Sequence, residues 1–247
     1  MKCGLIAAPL SVGGAIAEAA CWEPEWLKIR RITLRKGGTK IVHFTDVHFR
    51  GDAGYLLRVV QAINSQNADY VCFTGDLVEE AEFFAPALEI LKSINGPLYG
   101  IPGNHDFWAN ADFDLARQAF AAQGGAWLMD ESAMVTAGGI KIHGVTGARQ
   151  PRWELLEGGA NILLSHYPNW SQKITDARFD LILSGHSHGG QVRLPGIGAL
   201  LTPSGVGKFD MGMFQTAAGP MYVNPGIGYF YANVRFCCRP EVTVFEV

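Results

Sequence analysis

Short apolar stretches alternate with helical patterns through the first half of the chain. Alternating residues over 26–36 predict a half-exposed strand, and Gly37-Gly38 predicts a hairpin turn into a second strand at 39–45. Apolar residues at helical spacing predict helices over 55–65, 83–94 and 112–123. Further strands are predicted over 69–74, 97–101, 161–164 and 179–183, in antiparallel pairs within 127–145 around Gly138-Gly139, and in the tail 221–247.

This order of elements predicts an α/β fold, which some schemes class as α+β. Short apolar strands flanked by helices are typical of strands that are buried on both faces. Because the strand count is high for one open sheet, we predict a four-layer α/β/β/α sandwich of two mixed β-sheets flanked by helices. No repeat or linker divides 23–247, so this range is predicted to be a single domain.

Composition places the chain among ordinary folded proteins. Its 247 residues are 48% hydrophobic and 17% charged, which excludes an intrinsically disordered chain. With 20 Lys+Arg against 23 Asp+Glu, the net charge is −3, so we do not expect a nucleic-acid partner. Five scattered cysteines argue against a disulfide framework.

The amino-terminal segment 1–22 has a composition of its own. Met1-Lys2 precedes an apolar stretch of small residues that ends at Ala17 and is interrupted by proline and glycine. Three interpretations stay open: a cleaved signal peptide, an anchor lying on a membrane surface, and an ordinary segment. The interruptions make the segment a poor transmembrane helix. The compartment therefore stays open, with membrane association on the cytoplasmic face favoured slightly over export.

Polar residues of metal-binding type directly follow five of the predicted strands. They are Asp46 and His48, Asp76, Asn104 and His105, His166, and His186 with His188. The carboxyl ends of parallel strands open into the crevice where ligands bind, so we expect these residues to converge on one site. His43 and His143 lie within strand patterns instead, and we interpret them as structural.

The residue types indicate which metals such a site would hold. Carboxylate, amide and imidazole donors suit manganese, iron, zinc or nickel, whereas calcium and magnesium prefer oxygen ligands. We expect two divalent ions, with manganese as the first choice, sharing one carboxylate. Two ions so placed activate water and neutralise charge on a transferring phosphoryl group. The pattern therefore predicts a metal-dependent hydrolase of phosphoric esters or pyrophosphates.

In order along the chain, these motifs resemble those of the calcineurin-like metallophosphoesterases. The matching segments are Asp46-Val-His48, Gly75-Asp76, Gly103-Asn104-His105-Asp106, His166 and Gly185-His186-Ser-His188-Gly-Gly-Gln191. The resemblance implies that one ion is held by Asp46, His48, Asp76 and His188. It implies that the other is held by Asp76, Asn104, His166 and His186, with Asp76 as the bridge. His105 and Asp106 would be catalytic, with His105 protonating the leaving group and Asp106 orienting it.

The closing His-Gly-Gly-Gln motif resembles one branch of that family, which includes bacterial phosphodiesterases and the UDP-2,3-diacylglucosamine hydrolases of lipid A biosynthesis. This resemblance implies a phosphorylated small-molecule or lipid substrate, and a membrane surface as a further partner. Asn104, His105 and Arg235 are the predicted substrate-binding residues; Arg149, Arg152 and Lys208 are further phosphate-binding candidates. The aromatic residues beside the motifs either cover the core or form an aromatic rim around the site for a lipid or nucleoside group; they are Phe49, Phe107, Trp108, Tyr167 and Trp170.

Two alternatives to this function remain. One is a soluble phosphatase or cyclic-nucleotide phosphodiesterase of the same superfamily. The other is an inactive scaffold that uses the same fold for protein contacts, although a scaffold has no need for a full set of metal ligands.

Overall fold

The computed structural model describes residues 18–34, 38–135, 139–147 and 151–247. The strands are β1 (Lys28–Thr33), β2 (Lys40–Phe44), β3 (Tyr70–Phe73), β4 (Leu98–Gly100), β5 (Ala126–Trp127), β6 (Ser132–Val135), β7 (Ile140–Val145), β8 (Ala160–Ser165), β9 (Leu181–Ser184), β10 (Arg193–Leu194), β11 (Gly198–Ala199), β12 (Gly212–Thr216), β13 (Gly219–Val223) and β14 (Glu241–Glu246). The α-helices are α1 (Ala53–Asn64), α2 (Phe84–Leu91), α3 (Asn104–Trp108) and α4 (Phe113–Ala122). Short 3-10 helices cover Glu23–Glu25, Ala81–Phe83, Pro168–Lys173 and His188–Gly190, and a π-helical turn covers Glu18–Trp22.

Two six-stranded mixed sheets form the centre of the fold, as predicted. The first sheet has the order β1-β14-β2-β3-β4-β5, and the second has the order β12-β13-β9-β8-β7-β6. Strands β2 to β5 run parallel to one another, as do β7, β8, β9 and β13. Strands β10 and β11 form a separate small hairpin.

Three apolar clusters hold the layers together. Helices α1, α2 and α4 pack on the outer face of the first sheet, where Leu56, Leu88 and Phe120 lie fully buried. A second cluster, which includes Ile41 and Leu183, fills the space between the two sheets. A third cluster covers the outer face of the second sheet, where the 3-10 helix Pro168–Lys173 and loops form the outer layer.

Helix α1 forms where its sequence combines a cap with an apolar stripe. The Asp52 side chain accepts the backbone N–H of Tyr55 at 3.0 Å, which satisfies a donor that the first turn leaves free. Leu56, Val59, Val60 and Ile63 then recur at helical spacing on the buried face. None of the helices in the described ranges is both long and apolar enough to cross a bilayer.

The predicted hairpin between the first two strands is wrong. Strand β14, from the end of the chain, lies between β1 and β2 and pairs with both of them. Its residues are almost all buried, so its apolar side chains favour this central position over an edge. Residues 35 and 36 of the predicted first strand and Gly37 of the predicted turn lie outside the described ranges.

Candidate metal centre

All seven predicted metal ligands converge at the carboxyl ends of the parallel strands. Asp46 and His48 follow β2, Asp76 follows β3, Asn104 begins α3 after β4, His166 follows β8, and His186 and His188 follow β9. Each of these residues is buried, with at most 7% of its surface exposed. The sheets therefore bring residues up to 142 positions apart, since 188 − 46 = 142, into one cluster.

One group of donors consists of Asp46, His48 and His188. Their ligand atoms all lie within 4.8 Å of one another. Nε2 of His188 lies 3.6 Å from Oδ1 of Asp46 and 3.0 Å from Nε2 of His48. This spacing is suitable for three ligands around a single ion.

A second group consists of Asp76, His166 and His186, again with ligand atoms within 4.8 Å of one another. Nε2 of His166 lies 3.2 Å from Oδ2 of Asp76 and 3.0 Å from Oδ1 of Asn104. The same Oδ2 of Asp76 is 3.6 Å from Nε2 of His48, which belongs to the first group. Asp76 therefore lies between the two groups, in the position that a bridging ligand requires.

The hydrogen bonds of the histidines test whether a cation fits. Nδ1 of His166 donates to the carbonyl of Thr74, and Nε2 of His186 donates to the carbonyl of Ser204, both at 2.7 Å. In the neutral rings the other nitrogens, Nε2 of His166 and Nδ1 of His186, then carry lone pairs and face each other at 3.1 Å. Two facing lone pairs repel unless a positive charge lies between them, so the donor set fits a divalent metal.

Electrostatics in the cluster also favour a positive charge near Asp76. Burial opposes the charged form of His166, but the carboxylates of Asp76 and Asp46 outweigh it and raise the pKa of His166 to about 9. Burial and the neighbouring His166 lower the pKa of His186 to about 4. Burial raises the pKa of Asp46 to about 6. Although burial opposes it, the surrounding histidines hold the pKa of Asp76 far below its usual range, so Asp76 stays ionised to lower pH than Asp46 does.

Five of the seven candidate ligands have a strained backbone. Asp46, His48, Asp76, His186 and His188 have φ angles between 45° and 66°, in the left-handed region that side chains with a Cβ rarely adopt. Such conformations cost free energy and persist where surrounding contacts enforce them, which is common at functional sites. The strain therefore marks the loops that follow β2, β3 and β9.

Two glycines allow the ligand loops to approach each other closely. A Cβ at Gly103 would lie 2.1 Å from Oδ1 of Asp76, and one at Gly185 would lie 2.5 Å from Oδ2 of Asp46. Either contact is far inside van der Waals distance, so any larger residue would displace a candidate ligand.

The carboxylate that orients His105 belongs to Glu79, which the sequence analysis missed. Oε2 of Glu79 accepts from Nδ1 of His105 at 2.8 Å, and its other oxygen accepts from Nδ1 of His48. These histidines hold the pKa of Glu79 at about 2 although burial opposes this, and Glu79 raises the pKa of His105 against the effect of burial. Glu79 follows Asp76 by three residues in the same loop, and this position was the one available signal.

Asp106 does not orient His105, so that prediction is wrong. Its fully buried carboxylate accepts backbone N–H groups from Asp76 and Gly103 at 2.9 Å, and from Leu77 and Val78. These bonds fix the loop after β3 against the start of α3. Asp106 therefore acts on the site through the backbone of Asp76.

Arg235 is buried and does not line the cavity, so its position does not support the predicted contact with substrate. Its side chain is fully buried, and its guanidinium donates to the carbonyls of Pro225, Gly226, Gly228 and Cys238. A group with this many carbonyl partners has no donor left for a phosphate. Its physical role is to hold together the turns that follow β13.

A cavity of about 570 Å³ opens above the candidate ligands. Within the described part of the chain, Arg50 is the one arginine or lysine that lines this cavity. Arg152 and Lys208, which were predicted to bind phosphate, do not line it, and Arg149 lies outside the described ranges. Nη2 of Arg50 lies 3.1 Å from Oε1 of Glu79. Arg50 therefore supplies the positive charge that the sequence analysis assigned to other residues.

Of the two interpretations left open for the five aromatic residues beside the motifs, the rim applies to two and the cover to three. Trp108 and Tyr167 line the cavity, together with Phe230 and Tyr231, which the sequence analysis did not single out. The other three cover the protein interior: Phe49 and Trp170 are buried, and Phe107 packs on Phe113.

Two histidines remain outside the cluster, as predicted. Nε2 of His43 contacts Oγ1 of Thr74 at 2.8 Å, and Nε2 of His143 contacts Oδ1 of Asn161 at 3.1 Å. Burial lowers the pKa of both rings, which keeps them neutral in the interior.

Comparison with known proteins identifies the family. The sequence profile of the calcineurin-like phosphoesterases matches residues 39–190, which is more than half of the chain. The chain belongs to this family. It is a metal-dependent phosphoester hydrolase whose candidate ligands suit divalent cations.

Individual relatives cover nearly the whole metallophosphoesterase chain. It is 29% identical to the metallophosphoesterase YkuE of Bacillus subtilis, over 98% of this chain and 93% of YkuE. It is 25% identical to phosphodiesterase YaeI of Escherichia coli, over 91% of this chain and 90% of YaeI. Among solved structures, TT1561 of Thermus thermophilus is similar with a TM-score of 0.53 and 14% identity, covering 77% of this chain and 90% of TT1561, which supports the fold alone.

Proposed function

We propose that this metallophosphoesterase hydrolyses a phosphodiester or pyrophosphate bond with two divalent cations that share Asp76. The observation that carries the proposal is the position of Asp76 between two groups of donors, with Oδ2 at 3.2 Å from His166 and 3.6 Å from His48. The relation to phosphodiesterase YaeI supports a diester substrate. The mix of carboxylate, amide and imidazole donors suits manganese, iron, zinc or nickel, and manganese is our first choice.

Bound cations would supply Lewis acidity and an activated water nucleophile. The chain itself supplies the groups that handle the substrate. Glu79 holds Nδ1 of His105, which leaves Nε2 as the ring nitrogen that can face the cavity. The raised pKa of His105 keeps this nitrogen protonated to higher pH, so it can donate a proton to the leaving group. Asn104, which also lines the cavity, would be a second contact for the phosphate.

The proposed substrate is amphipathic, of the nucleotide-sugar-lipid type represented by UDP-2,3-diacylglucosamine. The cavity combines the charge of Arg50 with the aromatic side chains of Trp108, Tyr167, Phe230 and Tyr231. A guanidinium suits a phosphate group, and aromatic faces suit a base or an acyl chain. A cyclic nucleotide is the second candidate, because Trp108 lines the cavity, is 71% exposed and could stack on a nucleobase.

The test compares substrates on metal-loaded protein. UDP-2,3-diacylglucosamine, bis(p-nitrophenyl) phosphate, a cyclic nucleotide and a simple monoester are incubated separately, and the products are identified by mass. We expect diester or pyrophosphate cleavage that is lost on chelation and in Asp76→Asn, because this substitution weakens both metal positions. Cleavage of the monoester alone would contradict the proposal. Unchanged turnover in Asp76→Asn would contradict the shared site.

A further inference from the structure

The loop region beside the cavity exposes a set of large apolar side chains, which we call the apolar rim. It comprises Leu194, Ile197, Leu200 and Leu201 of the β10–β11 hairpin and its exit, and Tyr231 of the neighbouring loop. Ile197 is 74% exposed, Leu201 is 82% exposed and Tyr231 is 87% exposed. Isolated exposed apolar residues are common on protein surfaces, but clustered ones mark interaction sites.

The two parts of the apolar rim are fixed to each other and to the cavity. Nε2 of Gln191 donates to the carbonyls of Ala232 and Val234, and Oε1 accepts from the backbone N–H of Phe230. Pro203 and Ser204, just beyond the hairpin, line the cavity, as does Tyr231. The apolar rim is therefore an extension of the cavity mouth.

The apolar rim also lacks charge. The sequence from 194 to 207 contains no acidic or basic residue, and neither does the loop from 224 to 234. A protein partner usually meets a polar rim that pairs with it, whereas aliphatic tips with a tyrosine at the edge are typical of surfaces that enter the lipid interface.

The amino-terminal side of the chain joins the fold next to this surface. The carbonyl of Ala19 accepts the backbone N–H of Arg235 at 2.9 Å. The next residue, Phe236, is hydrogen-bonded to Gln191 and Arg193 at the start of the hairpin. Backbone segments that are paired by hydrogen bonds lie about 5 Å apart. Because the segment at 235–236 lies between Ala19 and β10, Ala19 lies roughly 10 Å from β10. The sequence that precedes Glu18 is itself apolar.

We propose that the apolar rim docks on a lipid bilayer and turns the cavity mouth toward the membrane surface. This inference rests on the proposed amphipathic substrate, which would enter the cavity from the bilayer without crossing water. The apolar composition of the sequence before Glu18, whose neighbour Ala19 joins the fold beside this surface, supports a lipid occupant over a polar partner.

The experiment measures binding of the full chain to phosphatidylcholine vesicles by sedimentation. Ile197→Ser/Leu201→Ser removes the most exposed aliphatic part of the apolar rim without touching a cavity-lining residue. Leu57→Ser/Met134→Ser is the matched control, since these side chains are 41% and 53% exposed on α1 and β6. Hydrolysis of bis(p-nitrophenyl) phosphate is measured on every variant and reports on the proposed function independently.

We expect the unmodified chain and the control to bind vesicles, and the rim variant to bind at least about tenfold more weakly, because two aliphatic side chains no longer enter the interface. Turnover of the water-soluble diester should be the same in all three. Equal binding by both variants, or no binding by the unmodified chain, would overturn the inference even if the diester is hydrolysed. Binding that needs anionic lipid and is lost at high salt would also overturn it, as would self-association of the unmodified chain that the rim variant loses.

Discussion

Replacing Asp106 with Asn distinguishes a positioning role through the backbone from an orienting role on His105. Each carboxylate oxygen accepts two backbone N–H groups, and all four distances lie between 2.8 and 3.2 Å. Either orientation of the Asn amide presents an NH₂ group to two of these donors. Two buried N–H groups are then left without acceptors, at about 1–3 kcal/mol each, or about 2–6 kcal/mol together.

This loss is large enough to be measured by thermal unfolding. For a domain of this size, each kcal/mol lowers the melting temperature by about 2–4 °C, so Asp106→Asn should lower it by roughly 4–24 °C. Metal content after dialysis should fall too, because in either orientation the loop that carries Asp76 loses two of the four bonds that fix it against α3.

The matched control is Asp112→Asn at the start of α4. The Asp112 carboxylate also accepts two backbone N–H groups, but it is exposed, and Asn caps a helix about as well as Asp. We expect almost no change in its melting temperature. If Asp106→Asn keeps its stability and metal content and loses only turnover, the positioning role is refuted and an orienting role on His105 is restored.

Three further predictions follow from the contacts around the cavity. Glu79→Gln removes the charge that raises the pKa of His105, so the rate should fall about 10–100-fold. The loss of activity at alkaline pH should also begin at lower pH. An unshifted pH profile would contradict the role of Glu79. Arg50→Ala should raise KM about 10–100-fold by removing a charged hydrogen bond to phosphate. Arg50→Lys should be intermediate, and Arg117→Ala, whose half-buried side chain does not line the cavity, should leave KM unchanged. An unchanged KM in Arg50→Ala would exclude Arg50 from substrate binding. Arg235→Met should lower the melting temperature because it leaves buried carbonyls unpaired, and the KM of the folded fraction should stay the same. A raised KM without lost stability would support Arg235 as a substrate ligand.

The convergence of the ligands could be predicted because it depends on a local pattern. Each of Asp46, Asp76 and His166 follows a short apolar run, and parallel strands open at one edge whatever their exact order. The order itself depends on pairing between distant residues, such as Lys28 with Glu241. The position of β14 between β1 and β2 was therefore beyond the reach of a local pattern.

The errors at the site have a common physical cause. Asp106 and Arg235 both bind backbone groups that loops bring close, and no side-chain pattern records such partners. Glu79 stands next to Glu80 in a stretch that looks like ordinary exposed acidic sequence, although its side chain reaches two histidines. Residue types indicated the chemistry of the site, whereas the roles of individual residues depended on loop geometry.

The most direct test of the shared metal site is anomalous diffraction from crystals grown with Mn²⁺. The account predicts two manganese peaks per chain, one beside Asp46 and His188 and the other beside His166 and His186, with Oδ2 of Asp76 in contact with both. A single peak, or two peaks of which only one touches Asp76, would contradict it.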